Sequence, residues 1–107
     1  MKTYAGNRSN GRCTVLVHED GGSRPLAPRH DLRNHSPDGF EWSYSGSGPA
    51  QLALALAADV LGDDEAASAV YQRLKRRVVA ALPNDAWVLT EDELSATIRL
   101  LSEGGGD

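Results

Sequence analysis

Residues 46–62 read GSGPAQLALALAADVLG. From Ala50 to Leu61 only Gln51 and Asp59 are polar, so a helix over this run is apolar on almost every side and must be buried on almost every side. The rest of the chain has to pack around it. Pro49 suits the first helical position, where a missing N–H costs nothing, and Ser47 or Gly48 can serve as N-cap. Gly62 accepts the left-handed conformation that closes a helix. A run of about a dozen residues is too short to span a bilayer, which takes about 20, so the spacing predicts a core helix over 48–61.

Downstream, a second helix is predicted over 63–82. Val70, Leu74 and Val78, joined by Tyr71 and Ala81, recur at three- and four-residue spacing and form one apolar stripe. Asp63, Asp64 and Glu65 open it, and Arg73, Lys75, Arg76 and Arg77 lie toward its C-terminus, each sign complementing the helix dipole. Pro83 and Asn84 end it. Trp87-Val88-Leu89 is a short apolar anchor with strand character. Thr90-Glu91-Asp92-Glu93 is a capping box, which starts a third helix over 90–102 with Leu94, Ile98 and Leu101 on its buried face. Residues 104–107 are expected to be a mobile tail.

Upstream, residues 1–26 carry strand signals. Cys13 to Val17 reads CTVLV, placing Cys13, Val15 and Val17 on one face and Thr14, Leu16 and His18 on the other. Asp20-Gly21-Gly22 is turn chemistry, so Ser23 to Leu26 returns as the second strand of a hairpin. Thr3 to Ala5 adds a third short strand, with Gly6 to Gly11 as its loop. Residues 27–45 have neither period; Phe40, Trp42 and Tyr44 alternate there, three of the six aromatic residues, so this loop is ordered against the core. The expected fold is α+β in a single domain, 1–107: a small N-terminal antiparallel sheet of two or three strands, a long ordered loop and three helices, the first of them buried.

The 107 residues carry a formal net charge of -4, distributed unevenly. Lys2, Arg8, Arg12, Arg24, Arg29 and Arg33 make the N-terminal third basic; from Asp38 to Gln72 every charged residue is a carboxylate. Patches of both signs suit a protein partner better than a run of phosphates. Cys13 is the only cysteine, which excludes an intramolecular disulfide and fits a reducing compartment. The N-terminus, MKTYAGNRSN, lacks the apolar run of a signal peptide, and no segment has the apolar length of a membrane span, so a cytoplasmic protein is expected.

Catalytic motifs are wanting. His18, His30, Asp31 and His35 lack zinc spacing, and Gly46-Ser47-Gly48 is too short for a nucleophile elbow and leads into proline. It is no phosphate loop either, because no Lys-Ser or Lys-Thr follows. The reading is therefore no catalytic residue, no metal and no cofactor. Two alternatives stay open. One is a small enzyme or ligand-binding domain at the pocket between loop and helix start, with Asp31, His35, Glu41 and Tyr44 for acid–base work. The other is a nucleic-acid binder through the basic helix.

From Asp31 the chain reads DLRNHSPDGFEWSYSGSGPAQLALALAADVLGDDE, then VYQRLKRRVVAALP and WVLTEDEL. In that succession, and most specifically in NHSPDGFEW followed by GSGPAQLALAL, it resembles a family of short uncharacterised prokaryotic and phage proteins classed as a domain of unknown function. That family more often has glycine in place of Ser43 and Ser45. The resemblance implies a compact prokaryotic domain with a home on a mobile element, and it carries over no established activity.

The leading expectation is a non-enzymatic protein-binding module of a phage or mobile element that inhibits a host defence complex in the manner of an anti-CRISPR. The expected partner surface is the polar aromatic loop with the basic helix: Arg29, Arg33, His35, Glu41, Trp42, Tyr44, Arg73, Arg76 and Arg77.

Overall fold

The computed structural model describes residues 2–104. The expected mobile tail thus falls largely outside the described residues. Strands β1 (Thr3–Ser9), β2 (Arg12–Glu19) and β3 (Gly22–Pro25) are followed by helices α1 (Ser47–Leu61) and α2 (Asp64–Arg77). A 3-10 turn (Val79–Ala81), strand β4 (Ala86–Thr90) and helix α3 (Glu91–Gly104) complete the chain. The sheet is antiparallel in the order β3-β2-β1-β4, so the N-terminal strand lies inside it and the C-terminal strand forms an edge. The class is α+β as expected, with four strands instead of two or three.

The fourth strand is β4, built on the Trp87-Val88-Leu89 anchor, and β1 is longer than expected. The predicted loop over Gly6 to Gly11 is instead strand up to Ser9, and the turn is Asn10-Gly11, with Ser9 paired to Arg12. Both turn residues are left-handed, at φ 54 and 76, which is the type I′ geometry that matches the twist of two paired strands. Gly6 is strand because of a partner far along the chain: it pairs with Trp87 on β4, and the indole lies where a side chain at residue 6 would be.

Helix α1 is buried without interruption from Gly48 to Ala58. Its cap is Gly46, whose carbonyl accepts from Ala50 N at 2.9 Å, rather than Ser47 or Gly48. Pro49 is harmless at the third position as well, because no first-turn N–H has an intrahelical partner. Gly62 closes the helix at φ 64, its N–H donating to the Ala58 carbonyl. Around α1 pack Tyr4, Val15, Val17 and Trp87 from the sheet, Ala67, Val70, Tyr71 and Leu74 from α2, and Leu94, Ile98 and Leu101 from α3.

Helix α2 stops at Arg77, short of the predicted end at 82, and Ala81 is exposed. Ser43 explains the change. Its N–H donates to the Val79 carbonyl at 3.1 Å and its hydroxyl to the Leu82 carbonyl at 2.6 Å, so the chain past Val78 serves the loop in place of an α-helical ladder. Pro83 reinforces this by holding Leu82 extended. Helix α3 has the predicted capping box: Glu93 N donates to Thr90 Oγ1 at 3.0 Å and Thr90 N to Glu93 Oε1 at 2.8 Å.

Candidate functional site

The two polar residues of the core helix are both hubs. Gln51 is fully buried. Its Oε1 accepts from His35 N at 2.7 Å and Ser36 N at 3.1 Å, and its Nε2 donates to Pro28 O at 2.6 Å and Arg33 O at 3.0 Å. That saturates a primary amide and fastens the connection between β3 and α1 onto the core. Asp59 accepts from Lys2 Nζ at 2.9 Å, Tyr4 OH at 2.7 Å and Arg24 Nη2 at 3.0 Å, joining the last turn of α1 to β1 and β3. Burial pushes the Asp59 carboxyl up, but these three donors outweigh it and hold the group below the usual carboxylate range. Burial, then the bond to Asp59, pushes the Tyr4 hydroxyl up.

The loop residues expected to meet a partner are largely occupied within the fold. Arg29, at φ 59, forks onto Asp31 at 3.0 Å and onto Asp64 at 2.8 and 3.0 Å, clamping the loop to the start of α2. His35 shares a 2.7 Å hydrogen bond with the Tyr71 hydroxyl; burial, then the nearby Arg33 and Lys75 charges, lowers its pKa. Glu41 pairs with Arg8 at 2.9 Å. Burial, then Glu41, pushes the Cys13 thiol up to about 11, so it is a thiol and not a nucleophilic thiolate at neutral pH.

Trp42 is a correction to the expected surface. It is fully buried, donates its indole N–H to Asn84 O at 2.9 Å and meets the Trp87 ring edge-on at 5.4 Å. Its alternation with Phe40 and Tyr44 reflects core packing, and its ring is not available to a partner. Arg73 also turns inward, donating to the Leu101 carbonyl at 3.3 Å at the end of α3, where a cation complements the helix dipole. Arg33, Tyr44, Arg76 and Arg77 are exposed. His35 and Glu41 bond to different partners, Tyr71 and Arg8, so the acid–base group considered from sequence is not assembled. Among the described residues no three of His, Cys, Asp and Glu come together as a metal would require.

A different surface is open. By strand alternation the face away from the helices receives Thr3, Ala5, Asn7 and Ser9 from β1, and Arg12, Thr14, Leu16 and His18 from β2. Ser23 and Pro25 come from β3, and Ala86, Val88 and Thr90 from β4. None is buried. Arg12, at a corner, is the only Lys, Arg, Asp or Glu among them. The centre is an open hollow of about 480 Å³ floored by Ala5, Leu16, Ala86 and Val88, with Asn7 and Thr14 at its margin. Val88 is 65% exposed. Sequence reasoning put Thr14, Leu16 and His18 on one face; the signal it lacked was that Ala86, Val88 and Thr90 continue that face.

A sequence model of a protein family matches residues 4–100. The chain belongs to DUF6166, a family of unknown function. The DUF6166 match runs from β1 into α3, so the open sheet and the loop pinned by Gln51 both fall within it. No curated protein and no solved structure matches the chain. Among the described residues no helix is long and apolar enough to cross a membrane.

Proposed function

We propose that the protein is a non-enzymatic protein-binding module and that the open face of its sheet is the contact surface. The observation that carries this is the uncovered face itself, with an apolar floor, hydroxyl and amide groups around it, and one charged residue at a corner. Depletion of charge around an apolar centre distinguishes the core of a protein interface from ordinary surface. The same neutrality specifies the partner's chemistry: a protein surface that is itself uncharged where it meets Leu16 and Val88. The loop that sequence reasoning favoured supports this surface from behind. A pocket enzyme fits less well, because His35 and Glu41 work separately. Nucleic acid fits less well too, because Arg73 faces α3 and the open face carries little charge.

Under this proposal the protein acts in the cytoplasm, and the sequence resemblance extends it to a mobile-element product that blocks a host defence complex. The test is affinity capture of purified defence complexes by wild-type protein and by Leu16→Glu, with circular dichroism confirming that both are folded. The expected result is one complex held by the wild type and released by the variant. Retention by both would move the contact off the sheet face.

A further inference from the structure

We infer that the outer edge of β4 takes up one extended strand of the partner protein, and that this guest carries Lys or Arg at both ends with uncharged residues between. The inference rests on the protein-binding reading and adds its mode.

Hydrogen-bond phase decides which main-chain groups of β4 are open. Arg8 N donates to Asp85 O at 2.8 Å and Glu91 N to Lys2 O at 2.9 Å, so these bracketing pairs are of the bonded kind. Antiparallel pairs alternate between bonded and non-bonded, so Trp87 and Leu89 bond to β1 while Ala86, Val88 and Thr90 point their amides and carbonyls away from it. Thr90 N is taken by Glu93. Ala86 and Val88 therefore present two donors and two acceptors at the edge, the template that β-augmentation uses.

The other edge is closed to the same use. Leu26 N donates to Val15 O at 3.0 Å, so by the same phase the outward residues of β3 are Ser23 and Pro25. Proline has no N–H to offer, which is a usual device for blunting an edge. Between Asp85 and Glu91 the β4 edge has no proline and no charge.

Charge selects the guest. Asp85 stands at one end of the edge, and Glu91 and Asp92 at the other, about 20 Å away at strand spacing. No ion pair among the described residues holds any of the three. A second copy of β4 laid antiparallel on the first would bring Asp85 of one copy toward Glu91 of the other, and like charges facing across strands repel. A guest with basic ends meets carboxylates at both, whichever way it runs.

The test titrates 15N-labelled protein with acetyl-KKVTVTVKK-amide, followed by NMR and amide hydrogen exchange. The expected result is a shift and slowed exchange at Ala86 and Val88, a weakening with salt, and little response to acetyl-EEVTVTVEE-amide. Val88→Pro deletes an outward N–H that β1 does not use and should abolish the response. The double substitution Asp85→Asn with Asp92→Asn leaves the ladder intact and should weaken it about two- to fivefold per charge. Unchanged Ala86 and Val88 amides at millimolar peptide, equal binding of the acidic peptide, or self-association through these amides without peptide would each overturn the inference. A partner lost on Leu16→Glu while the edge stays silent would overturn it and leave the protein-binding reading standing.

Discussion

Replacing Gln51 with leucine keeps a helix-forming side chain of similar size but leaves His35 N, Ser36 N, Pro28 O and Arg33 O without their partner. A buried polar group stripped of its hydrogen bond costs about 1–3 kcal/mol, and some of these loop groups can turn to water. The expected loss is therefore about 2–4 kcal/mol, read by urea unfolding, with exchange protection lost first at His35 and Ser36. An unchanged midpoint would mean that the loop is held by other contacts. Asp59 gives a pH-dependent counterpart. Its pKa is lowered in the folded state, so its contribution is fully present above the unfolded carboxylate value of about 3.9 and is lost as pH falls through the folded value. Asp59→Asn should accordingly be less stable than wild type at pH 7, with the gap closing below about pH 4; a gap independent of pH would exclude the ionic contribution. Both residues stood out in the sequence as the polar exceptions in an apolar helix. Their partners did not, because Gln51 bonds main-chain atoms 15 to 23 residues earlier, and main-chain atoms carry no sequence signature.

At the level of elements, helices were more legible than strands for a physical reason. Periodicity, caps and breakers are local, and they placed α1 and α3 closely. The end of α2 was set by Ser43 reaching the Val79 and Leu82 carbonyls, a contact across some 40 residues. The first hairpin is harder to read because Gly6 resembles a loop residue, although Asn10-Gly11 is a strong hairpin signal. Gly6 is glycine because a Cβ there would lie 2.2 Å from Trp87 Cε2. Gly6→Ala should therefore displace the indole from its place between β1 and Trp42, at about 1–3 kcal/mol as for other overpacked sites. The measurement is the denaturant midpoint together with the tryptophan emission maximum. A stabilised variant would show that the indole yields freely.

For the whole molecule the decisive fact is that the first strand lies inside the sheet and the last strand closes it. Sequence alternation reveals that a strand has two faces, but only tertiary packing decides which one the helices cover, so neither the open face nor the β4 edge could be read in advance. The same topology makes the ends of the chain interdependent. β1 pairs with the whole of β4, from Thr3 with Thr90 to Asn7 with Ala86, and Trp87, Trp42 and Asn84 lock that pair to the loop. Without β4 and α3, β1 becomes an unpaired edge, Gly6 loses its covering ring, and α1 is uncovered where Leu94, Ile98 and Leu101 had packed. A fragment ending at residue 84 should therefore be unfolded by circular dichroism, although it retains the sheet's first hairpin and both hydrogen-bond hubs. In the intact chain both tryptophans sit at the junction of sheet and loop, while most ellipticity comes from helices. If all these parts depend on one closure, tryptophan emission and helical ellipticity should lose their native values in a single coincident urea transition, the usual behaviour of a small single domain. Separated transitions, or a folded fragment, would mean that the hairpin, loop and α1–α2 pair stand without β4.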